Sequence, residues 1–361
     1  MTDLKVIAGK FRINGEADTI AAFGEGMINS TYRVTLKGVN TQYVLQKINH
    51  HIFKDVEMLQ NNIQRVTDHI RRKLLAVGEQ EVHRKTLTII PASDDKLYYF
   101  DGDNYWRMTL LIPGSETHEA VTPEYAYSAG RAFGNFQAML SDLPGEPLGE
   151  IIPDFHNMEF RLKQFREAVA NNAAGRLSEV AELVNEVEKR ADEMCVCEQL
   201  YREGKLPKRI NHCDTKVNNM LFDKSGEVLC VIDLDTAMPG FVVSDFGDFM
   251  RTAGNTGKED DLDLNNVNFN MDIFRSYTKG YLQEAKKFLT PIEIKLLPFG
   301  AKLLTYMQLS RFLADYLNGD TYYKIMSPKH NLQRSRAQFK LLQSMEANYE
   351  AMLQFIDEQM L

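Results

Sequence analysis

The sequence predicts an α+β fold, a small sheet-bearing N-terminal lobe followed by a larger, mostly helical one. Two observations carry this. Tyr32, Val34 and Leu36 alternate with Thr31, Arg33 and Thr35, the period of two that marks a half-buried strand. Beyond Pro113-Gly114 the texture changes to long helical patterns with capping signals. The expected division is therefore 1–112 and 113–361.

Along the first stretch, Lys37-Gly38 turns the chain and Gln42 to Ile48 reads as a second strand. A helix is expected from about Phe53 to Val77. Short strands follow near Thr86–Ile90, Leu97–Phe100 and Tyr105–Ile112, with the single Trp, Trp106, expected near the hinge. In the second stretch, Thr122-Pro123-Glu124 sets a capping residue before a proline at the first helical position. Thr290-Pro291-Ile292-Glu293 adds the glutamate of a capping box. Helical patterns cover roughly 158–203, 267–288, 292–317 and 330–357. One β-rich excursion interrupts them, Asn219–Phe222 and then Glu227–Leu234.

Composition narrows the function. The 361 residues are 44% hydrophobic and 25% charged, the profile of an ordinary soluble globular protein with room for a full core. Forty-two Lys and Arg against 50 Asp and Glu leave a net charge of −8, the wrong sign for a nucleic-acid binder. No apolar run reaches the length of a transmembrane helix, and no secretory h-region opens the chain, so no membrane partner is expected. Four cysteines are too few for a disulfide framework, and the expected location is the cytoplasm with reduced thiols.

The chemistry concentrates in Asn211-His212-Cys213-Asp214-Thr215-Lys216-Val217-Asn218-Asn219 and, 14 residues beyond Asn219, in Val231-Ile232-Asp233-Leu234-Asp235. Phosphoryl transfer requires positioning and charge neutralisation more than covalent help. Asp214 on a loop can face an attacking hydroxyl. Asn219 and Asp233 are hard oxygen ligands suited to Mg²⁺ on phosphates. Lys216 can reach a transferring phosphoryl, and His212 is expected to hold the loop by hydrogen bonds. Phe23-Gly24-Glu25-Gly26 lies between two predicted strands, where glycines let backbone N–H groups approach phosphates. It is not a Walker A loop, since no Gly-Lys-Ser/Thr follows. Asp245-Phe246-Gly247 spells the protein-kinase metal motif but lies 26 residues past Asn219. Asp233 has the better spacing, so Asp245 and Asp248 read as a helix-start or loop-bracing pair.

These residues resemble the aminoglycoside phosphotransferase and choline kinase superfamily, and within it the N-acetylhexosamine 1-kinases. The resemblance runs from about Gly24 to Asn348. It is carried by GEGMINSTY at 24–32, YVLQKIN at 43–49, HCDTKVNN at 212–219, VIDLDTAMPG at 231–240, SDFGDFMR at 244–251, RFLADYLNGD at 311–320 and PKHNL at 328–332. It implies a protein-kinase-like two-lobed fold, with ATP and Mg²⁺ as cofactors and a small-molecule sugar as partner. The γ-phosphoryl would pass to the anomeric hydroxyl. Residues 1–112 would be the nucleotide-binding lobe and 113–361 the catalytic and substrate-binding lobe. Asp214, Lys216 and His212 would be catalytic, and Asn219 with Asp233 would hold metal. Gly24, Gly26, Asn29, Gln46 and Ile112 would meet the nucleotide. Arg311, Tyr322, Asp235 and Thr252 would meet the sugar.

One departure stands out. A protein kinase expects a phosphate-contacting lysine on the third strand. Here Gln46 occupies that slot and Lys47 lies on the other strand face. Either Gln46 is a neutral phosphate donor or Lys47 bends in. Arg311, in turn, either lines a pocket or pairs with Asp315 at i,i+4 on a helix. Competing functions are a kinase for choline, homoserine or an aminoglycoside, and a nucleotide-binding regulator without turnover. An arginine in the acceptor segment disfavours cationic acceptors.

Overall fold

The computed structural model describes residues 3–24, 28–117 and 121–360. The fold is α+β, with an antiparallel sheet in the N-terminal region and a larger helical C-terminal part. The chain divides into two compact units. The first comprises Met1–Thr117, Asp142–Pro153 and Met220–Met238; the second comprises His118–Ser141, Asp154–Asn219 and Pro239–Leu361. In place of a single break after residue 112, two later stretches thus rejoin the N-terminal region.

In the first unit six strands form one sheet: β1 (Ala17–Ala22), β2 (Ser30–Leu36), β3 (Val39–Ile48), β4 (Ile89–Ile90), β5 (Tyr99–Phe100) and β6 (Tyr105–Leu110). Their order is β1-β2-β3-β6-β4, with β5 also on β6, and the pairs are antiparallel. The predicted alternation is realised: Val34 and Leu36 on β2 and Tyr43 and Leu45 on β3 are buried, together with Met108 on β6 and with Ile7 and Phe11. Trp106 belongs to this core, and its Nε1 donates to Asp101 at 2.7 Å, so it is a sheet residue rather than a hinge residue.

The opposite sheet face carries a different row. Register sets Thr31 beside Gln46 and Gln46 beside Arg107 across β2, β3 and β6. Lys47 pairs with Ser30 and Trp106 and so lies on the other face.

The helix Val56–Ala76, capped by Asp55, ties in the two later stretches. Asn62 donates to the carbonyls of Gly149 (2.9 Å) and Ala237 (3.2 Å), and Arg65 donates to those of Pro144 (3.1 Å) and Glu146 (2.6 Å). The hairpin of Met220–Phe222 with Val228–Val231 packs Leu229 and Cys230 on Ile112.

The second unit is helical, and both predicted caps form. Thr122 accepts from the Tyr125 amide ahead of Pro123–Leu140, and Thr290 with Glu293 closes a capping box. The pattern over 158–203 is not one helix but Met158–Asn171, Leu177–Glu188, Ala191–Met194 and Val196–Arg202. The first break is at Asn172, which takes the left-handed conformation and accepts the Leu177 amide on its side chain. Asp245-Phe246-Gly247 lies within the buried helix Val242–Ala253. A Cβ on Gly247 would sit 2.0 Å from the Gly300 carbonyl oxygen, so this glycine permits close packing against the helix Leu297–Leu317. Among the described residues no helix is long and apolar enough to cross a membrane.

Glu198 gives this unit a pH signature. Its carboxylate is buried and accepts the Met158 amide at 2.6 Å, while Oε2 has no partner among the described residues. Burial raises its pKa to about 7. A folded-state pKa above the unfolded value favours the protonated native state, so stability falls as pH rises from about 4.5 through about 7, by about 3 kcal/mol. Urea denaturation should therefore show Glu198→Gln more stable than wild type at pH 8 and nearly equal at pH 4.5. Parallel pH profiles for the two proteins would remove Glu198 as the cause.

Candidate functional site

The loop that follows the short strand Arg209–Asn211 is held almost entirely through its backbone. His212 is fully buried, with its ring edge-on to Phe133 (5.7 Å) and Phe136 (5.9 Å). Its Nδ1 accepts the Asp214 amide at 3.3 Å, which agrees with a loop-holding histidine. Cys213 takes φ +64°, a left-handed conformation unusual for a residue with a Cβ. It is fixed there by Asp245, whose two carboxylate oxygens accept the His212 and Cys213 amides, each at 2.8 Å. Gln137 adds a third donor to Asp245 at 2.9 Å. One turn along the same helix, Asp248 accepts the Thr215 amide at 3.0 Å. The loop-bracing reading of Asp245 and Asp248 is therefore what the hydrogen bonds show.

Electrostatics separate these two acids. Burial raises the Asp245 carboxyl above the ordinary carboxylate range, although His212 and the donated N–H groups oppose it. Burial also acts against ionised Asp248, but Arg251, Lys216 and His156 outweigh it and hold its pKa below the usual value.

Asp214 is half-buried at the centre of this frame. Asn219, in the single turn Val217–Asn219, donates its amide to the Asp214 backbone oxygen (2.8 Å) and to Oδ2 (3.2 Å). Lys216 Nζ lies 2.9 Å from Asp214 Oδ1. Burial opposes the Lys216 charge, yet Asp214 and Asp248 raise its pKa above the usual value. Lys216 is thus the ionic partner of Asp214 as well as a cation near it.

A second cluster of this unit gathers around Arg311. Its guanidinium lies over the rings of Phe155 (5.7 Å), Tyr322 (6.0 Å) and Tyr323 (5.6 Å). Phe155 stacks on His156 at 4.6 Å. Asp315 does not serve Arg311: its buried carboxylate accepts the amides of Thr321, Tyr322 and Tyr323 and the Asn331 side chain. The predicted pair Arg311 and Tyr322 is therefore brought together, and Asp315 shapes the segment that carries Tyr322. His156 connects the clusters. Burial lowers its pKa to about 3; Asp248 opposes this, while Arg311 and Arg161 add to it. Thr252 hydrogen-bonds back into its own helix, to the carbonyls of Asp248 and Phe249.

The first unit holds the remaining candidates. Asp233 ends the hairpin with φ 58° and is exposed, whereas Leu234, Asp235 and Thr236 form a buried single turn directly after it. Asp235, expected to meet the sugar, is held by residues of its own unit. Its carboxylate is 3% exposed and fully engaged, by both terminal nitrogens of Arg107 (Nη2 to Oδ2 at 2.9 Å) and by the Asn29 amide at 2.6 Å. Asn29 also accepts the Asn49 amide at 2.9 Å, so it is a structural link in this unit. Gln46, expected to contact phosphate, spends its amide on Thr31 (3.1 Å) and on Arg107 Nε (2.8 Å). Gln46 thus orients Arg107, while Lys47 lies on the far strand face. Arg107 went unread in the sequence, although register opposite Gln46 was the signal that could have found it. Gly24 takes φ +74° with open space where a Cβ would be, so backbone conformation selects glycine there. Gly26 lies outside the described residues. Ile112 has a buried side chain, and its carbonyl accepts the Ser115 hydroxyl.

Asn219 commits its N–H₂ to Asp214, so its side-chain oxygen, a hard donor, lies outside that pairing. Asp233 is an exposed carboxylate on a fixed turn. Among the described residues no three His, Cys, Asp or Glu side chains cluster as a metal cage. One or two protein oxygens plus phosphate and water is the usual coordination of Mg²⁺.

Comparison with known proteins bears on the family and the fold. The model of the phosphotransferase enzyme family matches residues 19–278, well over half of the chain. An aminoglycoside phosphotransferase from Alicyclobacillus acidocaldarius superposes with a TM-score of 0.65 at 12% identity, covering 99% of this chain and 97% of its own. A spectinomycin phosphotransferase solved with ADP and spectinomycin gives 0.57 at 13%, covering 96% and 97%. Choline kinase from Cryptosporidium parvum gives 0.54 at 12%, covering 94% and 92%. At these identities the likeness is one of fold.

The bracing by Asp245 is testable without any substrate. An amide has one acceptor oxygen and cannot serve both the His212 and the Cys213 N–H. Asp245→Asn should cost about 1–3 kcal/mol in denaturant unfolding, the penalty of one orphaned buried donor. Hydrogen exchange at the His212 and Cys213 amides should accelerate. Unchanged protection at both would show that the loop is held by other contacts.

Proposed function

The chain belongs to the phosphotransferase enzyme family, and on that premise we propose that it transfers the γ-phosphoryl of ATP to the anomeric hydroxyl of an N-acetylhexosamine, giving a sugar 1-phosphate and ADP. The observation that carries the reading is the clamped Asp214, fixed by Asn219 and Lys216 on a loop whose backbone rests on two buried carboxylates.

Asp214 accepts the proton of the attacking hydroxyl as the new O–P bond forms and the bond to the ADP oxygen breaks. Lys216, ion-paired with Asp214, offers positive charge to the transferring group. His212 keeps the Asp214 amide in place. Asn219 and Asp233 are the proposed oxygen ligands of Mg²⁺, which supplies neutralisation of phosphate charge when bound. Gly24 and Gly26 would bring backbone N–H groups to the phosphates, and Ile112 would contribute at the base.

The acceptor assignment rests on the Arg311 cluster. A guanidinium among Phe155, Tyr322 and Tyr323 suits a neutral, hydroxyl-rich ring with an apolar face. It disfavours a cationic acceptor such as choline or an aminoglycoside, because the Arg311 guanidinium already lies over those aromatic rings and would repel a second cation. Thr252, at the end of the helix that braces the loop, is assigned to the same pocket.

The test is a panel of free sugars, choline, homoserine and aminoglycosides with ATP and Mg²⁺. ADP release would be followed, and the product's phosphorus position read by NMR. N-acetylhexosamines should be consumed and yield the 1-phosphate; turnover confined to choline or aminoglycosides would overturn the assignment. Asp214→Asn should lower kcat by about 10²–10⁴-fold while calorimetric ADP affinity is retained. Arg311→Ala should raise the sugar KM by about tenfold or more and leave that for ATP nearly unchanged. Equal effects on both constants would take Arg311 out of the acceptor pocket.

A further inference from the structure

We infer that Arg107 is a positioning residue for Asp233, acting through the carboxylate of Asp235; the inference rests on the assignment of Asp233 to Mg²⁺. The ion pair is buried at both ends, with side-chain exposures of 7% for Arg107 and 4% for Asp235. Such a pair is weak evidence for stability, because desolvating two charges offsets much of their attraction. What it fixes is geometry. Nη1 and Nη2 of Arg107 each meet one oxygen of Asp235, while Nε is held by Gln46, so all three guanidinium nitrogens are oriented. Only a planar fork can do this; a lysine in the same place is a single point charge.

Asp235 is the middle residue of the turn Leu234–Thr236, and Asp233 immediately precedes that turn in a left-handed conformation. The anchored carboxylate is buried and the displayed one is exposed. Fixing the turn at Asp235 therefore fixes the backbone from which Asp233 projects. Asn29 completes the device. It donates to Asp235 and accepts from the Asn49 amide, joining the residue before β2 and the residue after β3 to the same carboxylate. The sheet thereby sets the direction of the exposed acid by a chain of contacts, Thr31 to Gln46 to Arg107 to Asp235.

The experiment measures ADP binding by calorimetry, once with MgCl₂ and once with EDTA, and takes the ratio of the two affinities. Asp233→Ala sets the floor by removing the proposed ligand. Arg107→Lys keeps the charge and loses the fork. The double variant Arg107→Met with Asp235→Leu replaces the pair by apolar residues of similar volume, a swap that leaves no orphaned charge. Both should lose about tenfold or more of the magnesium-dependent gain, as expected when an outer contact that orients a metal ligand is removed. Affinity in EDTA should shift by less than about threefold, a split that general loss of structure would not give. If the double variant does not fold, Arg107→Lys decides the matter. Loss in Asp233→Ala with wild-type gain in the Arg107 variants overturns this inference and leaves the proposed function standing. Wild-type gain in Asp233→Ala removes the metal assignment and this inference with it.

Discussion

A buried carboxylate receiving two consecutive backbone N–H groups is the contact on which the second unit's chemistry depends. Cys213 sits in a conformation that costs roughly 1–2 kcal/mol for a residue with a Cβ. That turn brings the His212 and Cys213 amides onto the two oxygens of Asp245 and leaves Asp214 directed outward. Charge-assisted hydrogen bonds of this kind are roughly twice as strong as neutral ones, enough to hold the strained residue. Asp245 can do this because its helix is itself fixed, with Gly247 seated on the Gly300 carbonyl. Close helix packing thus passes into loop geometry through one side chain.

The first unit repeats the logic with different parts. Asp235 is buried and fully paired; Asp233, two residues earlier, is exposed. In both units an acid with satisfied oxygens supports a more exposed acidic neighbour. Burial costs fall on the supporting residue, where protein donors offset them. The more exposed residue keeps more of its solvation. The Arg311 cluster follows suit: Asp315 spends its carboxylate on three successive amides, and the segment so shaped carries Tyr322 and Tyr323.

Local signals in the sequence were legible where the physics is local. Alternation at Tyr32, Val34 and Leu36 marked β2, and the Thr122 and Thr290 caps marked two helix starts. The spacing marked Asp214 and Asn219 as one cluster, and a single turn of backbone brings them into a hydrogen bond. Long-range pairing was not legible. Nothing near residue 107 announces an acid 128 positions away, and the first strand partner of Arg107, Gln46, was read for a ligand rather than for its neighbour. Asp235 shares a motif with Asp233, yet in the single turn after Asp233 it is buried while Asp233 is exposed. The makeup of the first unit likewise rests on long-range contacts. Residues 142–153 and 220–238 join the first unit through side chains of Asn62 and Arg65 donating to distant carbonyls, and no composition shift records such contacts.

The discontinuity of the first unit also bears on how the protein is made. Its sheet residues leave the ribosome early, but the hairpin and the turn that complete the unit are more than a hundred residues behind. Until position 235 emerges, Arg107 has no acid to neutralise it and Ile112 lacks the apolar cover of Leu229 and Cys230. Closing so long a loop is slow relative to forming helices. The nascent sheet must therefore wait, incomplete and partly uncovered, while the intervening helices are synthesised, and a chain released before residue 238 would be a natural client for folding helpers.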